Sequence, residues 1–248
     1  RIETNGDEPV LFLWADQLIE NPAEFINCIV LAKQLNQSEH LPVFIGAKVP
    51  YPSVNFGYIE LGDSVGGHAN ARYLTKFVEK PNLELATEYF LSNNYLWNTG
   101  YLMLTRDQFI DITTTINSRL IDTYNLLKSS DDVDADYLSL SDIVLDYEFS
   151  EKLSTAVAIV GDFGWSDIGN YRDMHRILKS DDNNNVIAGN CYIDDTKSSL
   201  IINKTNQKLA VIGVEDVAIV VSDHGIVITR LDKSHLVGQA AKELTKNN

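Results

Sequence analysis

The amino-acid sequence predicts an α/β body followed by a small β-rich appendage that ends in a helix. Three observations carry this. Residues 9–46 read as strand, helix and strand joined by short links, the βαβ pattern of an α/β domain. Strand-length apolar runs and helical stretches then alternate, less regularly, as far as Leu178. Beyond the polar run Ser180–Asn185 (SDDNNN) the texture changes to short strands at close spacing. The predicted division is therefore residues 1–180 and 181–248.

Arg1 to Glu8 are polar and read as a loop or a cut end. Pro9–Trp14 (PVLFLW) is short and apolar throughout, which predicts a buried, parallel strand ending at Ala15-Asp16-Gln17. Asn21-Pro22-Ala23-Glu24 supplies an N-cap, a proline at N1 and an acid at N3, so a helix follows with Phe25, Ile29 and Ala32 on one face. Val43–Gly46 is the next strand. Tyr51-Pro52-Ser53 is a turn, Phe56–Ile59 leads into a strand, and Asp63–Asn70 is a glycine-rich, polar, mobile loop. Tyr73–Val78 is a strand stopped by Pro81, and Asn82 caps a helix through Phe90. Tyr101–Leu104 is a strand, Arg106–Lys128 is mostly helical and Asp131–Asp136 is an acidic loop. Thr155–Val160 is a strand and Asn170–Leu178 a helix. In the appendage, strands fall near 186–193, 199–203, 208–213, 217–221 and 225–230, before an amphipathic helix from Asp232 to Leu244. Val217–Val221 (VAIVV) belongs to its core or to a subunit contact, which leaves a homodimer open.

The chain has 248 residues, of which 44% are hydrophobic, enough to bury a real core. Its net charge of −15 repels phosphate backbones, so no nucleic-acid partner is expected. A small phosphorylated ligand remains allowed, because a metal or a few cations can reverse the sign inside a cleft. Cys28 and Cys191 lie far apart without metal-ligand spacing and read as reduced, buried thiols of a cytoplasmic protein. No apolar run reaches the ~18 residues of a membrane span, and no signal peptide is visible. His40, His68, His175, His224 and His235 show no ligand spacing.

Four short motifs can carry chemistry. Asp16 lies at the carboxyl end of the first predicted strand, where open α/β sheets bind ligands. A carboxylate there suits Mg²⁺, although an ordinary solvated loop Asp fits as well. Asp167 sits in Phe163–Gly169 (FGWSDIG), where glycines permit close approach of backbone to ligand. It can complete a metal site with Asp16 or simply cap the following helix. In Glu79-Lys80-Pro81, neighbouring side chains of a strand point to opposite faces, so the pair does not neutralise itself. One side chain then accepts from sugar hydroxyls while the other meets a phosphate, or both merely end a strand. In Trp97-Asn98-Thr99-Gly100, Asn98 offers a donor and an acceptor to a vicinal diol beside an apolar Trp97 wall, or the segment is a structural turn.

Taken together and in order, ADQ, FGYIE, FVEKP, LWNTG, LDYEFSEK and FGWSDIGNY resemble the sugar-1-phosphate nucleotidyltransferases, most closely the mannose-1-phosphate guanylyltransferases. The resemblance runs from about residue 9 into the last segment, where Leu209–Val217 and Asp232-Lys233-Ser234 share it. It implies a Rossmann-like, glycosyltransferase-A-like mixed sheet with flanking helices. It also implies transfer of GMP from GTP to mannose 1-phosphate, giving GDP-mannose and pyrophosphate. By this likeness Asp16 and Asp167 hold the catalytic Mg²⁺, Lys80 faces the sugar phosphate, Gly57 meets the sugar through its backbone, and Glu79, Asn98 and Thr99 bind substrate. A glucose-1-phosphate enzyme using UTP or dTTP, and a non-catalytic regulatory subunit that binds sugar nucleotides, are the alternatives. Two departures stand out. The family opens with a G-x-G-T-R loop that holds the triphosphate, which is expected upstream of Arg1 because these residues contain none. Gln17 stands where relatives often carry His.

Overall fold

The structure, a computed structural model, describes residues 6–116 and 118–246. Arg1–Asn5 of the expected polar start, and Asn117 within the expected long helix, lie outside the described residues. The chain forms two compact units, Arg1–Trp165 and Ser166–Asn248.

The first unit contains β1 (Pro9–Phe12), β2 (Leu18–Ile19), α1 (Pro22–Glu39), β3 (Val43–Lys48), β4 (Tyr58–Ser64), β5 (Ala71–Val78), α2 (Leu83–Ser92), β6 (Tyr95–Trp97) and β7 (Leu102–Thr105). It continues with α3 (Arg106–Ile116), α4 (Ser118–Ser129), α5 (Val133–Ser139), α6 (Leu145–Glu148) and β8 (Val157–Gly161). Local chemistry sets the helix starts. The Asn21 side chain accepts from Glu24 N with Pro22 at N1, and Asn82 accepts from Leu85 N. Where an acidic loop is expected, Asp132 caps α5 by accepting from Ala135 N, so the carboxylates lie in a first turn, where the helix dipole favours them.

The sheet is mixed, with order β1-β7-β3-β6-β4-β5-β8 and a further pairing of β3 with β8. β1 is not the buried parallel strand that its composition suggests. It pairs antiparallel with β7 at the sheet's end, and Phe12, Leu13 and Trp14 are exposed. β7 lies between β1 and β3 and runs antiparallel to both, so the strand–helix–strand unit brackets an inserted strand. β3 pairs parallel with β8 on one side and antiparallel with β7 and then β6 on the other. Because β8 also pairs with β5, the ladders β3–β6–β4–β5–β8 return to β3 in a closed circuit. The expected mobile loop at 63–70 is a β4–β5 hairpin closed by backbone bonds from Val65 N to Ala71 O and from Ala71 N to His68 O.

Strand alternation sorts side chains into two cores. Val43, Ile45, Tyr58, Trp97, Met103, Val157 and Ile159 pack with Phe25, Ala32 and Leu35 of α1. Phe44, Ile59, Leu96, Leu102, Leu104 and Ala158 pack on the other face with Leu120 and Phe149. Burying each large apolar side chain contributes about 1.5–3 kcal/mol. Cys28 is buried in the first core, whereas Cys191, in the second unit, is half-buried; both are free thiols.

After β9 (Trp165–Ser166), the second unit holds α7 (Tyr171–Ile177), β10 (Val186–Ala188), β11 (Cys191–Asp194), β12 (Leu200–Asn203), β13 (Leu209–Ile212), β14 (Val217–Ser222), β15 (Gly225–Arg230) and α8 (Val237–Lys246). β10, β12 and β14 pair in parallel, and β15 closes that sheet antiparallel to β14. β11 and β13 pair in parallel in a second sheet. Each parallel connection thus crosses through a strand of the opposite sheet, which meets the need of parallel strands for a crossover. Ile219 and Val221 of the VAIVV run are buried with Ile201 and Val211. The boundary falls upstream of Ser180–Asn185 because Tyr171 and Met174 of α7 pack against Val186, Leu200 and Leu231. The SDDNNN run is a closed turn in which Asp181 accepts from Asn185 N and, more weakly, from Asn183 N, bonds that hold its carboxyl below the usual range. Among the described residues no helix is long and apolar enough to cross a membrane.

Candidate active site

Gly57, Glu79, Lys80 and Asn98 come together at neighbouring strand ends. Gly57 immediately precedes β4, Glu79 immediately follows β5 and Asn98 immediately follows β6, and these three strands are adjacent in the sheet. Asn98 N donates to the Gly57 carbonyl at 2.8 Å. A Cβ on Gly57 would stand 2.5 Å from Glu79 Oε2 and 3.3 Å from Asn98 Cβ, so any side chain here would push the Glu79 carboxylate out of this corner.

Glu79 and Lys80 are arranged differently from the strand-based expectation. β5 stops at Val78, and Lys80 adopts a left-handed backbone with φ 45°. The opposite-face rule therefore does not hold, and Lys80 Nζ pairs with Glu79 Oε1 at 2.9 Å. Glu79 is almost wholly buried at its side chain while the lysine is 57% exposed. The Glu79 hydrogen bond raises the Lys80 pKa, against partial desolvation and with help from the charges of Glu79, Tyr147 and Asp146. A left-handed backbone just before Pro81 is strained, because the proline ring crowds the preceding residue.

Asn98 has both ends of its amide engaged: Oδ1 accepts from Gly100 N at 3.0 Å, and Nδ2 donates to Asp146 Oδ1 at 3.1 Å. Thr99 turns inward. It is buried, its hydroxyl donates to the Ile45 carbonyl at 2.6 Å, and it accepts from Tyr101 N at 3.1 Å, so the side chain closes the turn into β7. Trp97 is 1% exposed and packs with Tyr51, Phe56 and Trp165, a core position in place of the expected open wall. Gly100 has φ 76° and faces the Trp14 indole, which explains the glycine after Thr99.

Asp16 is exposed in the turn after β1. Gln17 beside it receives the Trp165 indole N–H at 2.8 Å and donates to the Thr99 carbonyl at 3.3 Å. In the second unit Asp167 precedes Ile168, a β-branched residue with φ 46°, a conformation that costs strain. A Cβ on Gly169 would lie 2.8 Å from Asp167 Oδ2. The cap of α7 is Asn170, which accepts from Arg172 N and Asp173 N, so Asp167 is not spent on capping. Burial raises the Asp173 pKa; the Asp167 charge adds to this, while Arg176 opposes it. Among the described residues no group of three or more His, Cys, Asp or Glu is arranged to hold a metal ion.

The LDYEFSEK motif carries Asp146, Tyr147 and Glu151, to which the sequence by itself assigns no role. Glu151 Oε1 accepts from Glu79 N at 3.3 Å, and Asp146 meets Asn98. α6 spans only four residues, too short for a periodic signal; the cluster of acids was the sign available.

Comparison with known proteins agrees with this fold. The family model described as nucleotidyl transferase matches residues 2–184. A mannose-1-phosphate guanylyltransferase of Klebsiella pneumoniae is 28% identical over 98% of this chain and 53% of its own length. One of Sinorhizobium fredii is 29% identical over 96% of this chain and 47% of its own. The alginate biosynthesis protein AlgA of Pseudomonas putida is 26% identical, covering 98% and 51%. The chain thus spans about half the length of the curated relatives it matches. A crystal structure described as mannose-1-phosphate geranyltransferase from Thermus thermophilus shares the fold, with a TM-score of 0.85 at 22% identity over 96% of this chain and 70% of that one. With a mixed sheet flanked by helices, a strand-rich end closed by a helix, and a family match over most of its length, the chain belongs to the nucleotidyl transferase family.

Proposed function

We infer that the protein takes part in nucleotidyl transfer to a sugar 1-phosphate: GMP passes from GTP to mannose 1-phosphate, giving GDP-mannose and pyrophosphate. The observation that carries this reading is the Gly57–Glu79–Asn98 corner, a small cradle of hydrogen-bonding groups with a lysine at its rim. The relatives named mannose-1-phosphate guanylyltransferase, at 25–29% identity, support the choice of sugar and base.

In the reaction a sugar-phosphate oxygen forms a bond to the α-phosphorus of the nucleotide while the bond to the pyrophosphate oxygen breaks. Such a transfer needs in-line positioning and neutralised charge more than a protein nucleophile. Glu79 accepts from sugar hydroxyls, Asn98 both donates and accepts, and the Gly57 backbone bounds the sugar. Lys80 carries the positive charge that meets the sugar phosphate. Thr99 serves the same site from within, by holding the turn on which Asn98 sits. Asp16 and Asp167 are the residues that would hold Mg²⁺. Their donor chemistry fits, since a hard ion prefers carboxylate oxygens, and the exposure of Asp16 leaves room for the waters that Mg²⁺ retains. Bound there, the ion would neutralise phosphoryl charge. On this reading the protein works in the cytoplasm on two small phosphorylated substrates, without nucleic-acid or membrane partners, and a homodimer remains compatible with it.

The test is pyrophosphate release by the intact protein with Mg²⁺, comparing mannose 1-phosphate and GTP with glucose 1-phosphate and UTP or dTTP. Turnover with the first pair alone supports the reading. Turnover only with a glucose 1-phosphate pair reassigns sugar and base, and binding without turnover points to a regulatory subunit.

A further inference from the structure

The LDYEFSEK motif contributes a contact that the proposed reaction has not used. The Asn98 amide has two N–H donors and two acceptor lone pairs. Gly100 N occupies one lone pair at 3.0 Å and Asp146 Oδ1 takes one N–H at 3.1 Å. These partners cannot exchange places. A backbone N–H only donates and a carboxylate only accepts, so the reversed amide would set N–H against N–H and oxygen against oxygen. One donor and one acceptor of Asn98 remain for neighbouring hydroxyls, in a fixed order.

Asp146 is itself held in place. It lies on α6, whose following residue, Phe149, is fully buried and stacks on Phe109 with ring centroids 5.3 Å apart. Glu148 of the same turn pairs with Lys152 at 2.8 Å. Glu151, just beyond, receives Glu79 N. One short segment thus touches both residues that the sugar reading places on hydroxyls.

The geometry points to Asp146 as a positioning residue: together with Gly100 N it holds the Asn98 amide in one of two orientations and so sets which sugar hydroxyl donates and which accepts. This rests on the sugar-phosphate reading of the site. A carboxylate at this position thereby selects among sugars that differ in the stereochemistry of adjacent hydroxyls, without touching the reacting phosphorus.

The experiment is a double-mutant cycle on the intact protein, with KM for the sugar 1-phosphate, KM for the nucleotide and kcat read separately. Asp146→Ala is expected to raise the sugar-phosphate KM about tenfold, the loss of roughly one charged hydrogen bond. The nucleotide KM and kcat should stay within about twofold. In an Asn98→Ala background the same change should add almost nothing, because coupled residues are not additive. Asp146→Asn retains an acceptor oxygen and should recover part of the affinity. Asp146→Ser, whose hydroxyl can donate or accept, removes the side-chain half of the lock while keeping polarity and is read in the same way if the alanine variant does not fold. An unchanged sugar-phosphate KM, or a full effect of Asp146→Ala in the Asn98→Ala background, overturns the positioning role. Absence of both turnover and sugar-phosphate binding in the parent protein defeats the sugar-phosphate reading instead, and where the parent binds without turnover the Kd for mannose 1-phosphate replaces KM in the cycle, so the two failures are separate.

Discussion

The indole N–H of Trp165 donates to Gln17 Oε1 at 2.8 Å, while Gln17 Nε2 donates to the Thr99 carbonyl at 3.3 Å. One amide therefore ties the end of the first unit to the turn that carries Asn98. Gln17→Leu leaves the Trp165 N–H without its acceptor and is expected to lower stability by about 1–3 kcal/mol in urea unfolding. Gln17→His keeps one donor and one acceptor while the imidazole is neutral, so its loss should stay under about 1 kcal/mol at pH 8. A larger loss for histidine than for leucine at that pH would sink the bridge.

Gly57→Ala places a methyl against the Glu79 carboxylate and Asn98 Cβ. On the proposed function, the sugar-phosphate KM rises by about tenfold or more, equivalent to at least ~1.4 kcal/mol of binding, while the nucleotide KM holds. Steady-state kinetics with each substrate varied in turn checks this.

Gly100→Ala puts a side chain at φ 76°. The left-handed backbone costs about 1–2 kcal/mol for a residue with a Cβ, and the new methyl displaces the exposed Trp14 indole. Denaturant unfolding should show the loss, and tryptophan emission should shift in this variant but not in Gly100→Ala combined with Trp14→Phe.

Burial, aided by the Glu24 charge, pushes the Cys28 thiol up to about 11 from an ordinary 9.0. The folded state therefore holds this proton more tightly than the unfolded chain. The corresponding stability is complete below pH 9.0 and is lost as pH rises through about 11. Disulfide-exchange labelling at pH 8 is expected to modify half-buried Cys191 first and Cys28 only on unfolding. Two thiols reacting at one rate in the native protein would contradict this.

Asp16→Ala and Asp167→Ala are each expected to lower kcat by about a hundredfold or more with Mg²⁺, if these carboxylates hold the ion. Chelation of Mg²⁺ should abolish parent activity, and its return should restore it. A variant retaining parent activity removes that residue from the metal assignment.

Two helix starts were legible because an N-cap is local chemistry: Asn21 and Asn82 each cap the helix that follows, whereas the cap of α7 is Asn170 and not Asp167, the acid that offered itself three residues earlier. Most strands were legible as apolar runs. Their partners were not, because pairing is decided far along the chain. β1 looks like a buried parallel strand by composition, yet its partner is Leu102–Thr105, which runs the other way. The Glu79–Lys80 pair was hidden by a rule that holds only while the strand lasts, and the left-handed turn at Lys80 ends it. Gly57, Glu79 and Asn98 were named through family likeness; their meeting needed three strand ends to be brought side by side. Asp146 reaches Asn98 from 48 residues away, a contact with no signature in spacing.

The circuit of ladders through β3, β6, β4, β5 and β8 has a consequence for the cradle. In an open sheet, a strand can slip by a residue at the cost of its own ladder alone. In a closed circuit the offsets must sum to a fixed total, so one slip forces a compensating slip elsewhere. Gly57, Glu79 and Asn98 ride on three consecutive members of that circuit. Their spacing is thus a property of the topology, and insertions in the outer loops can vary the protein's surface without retuning the distances among them.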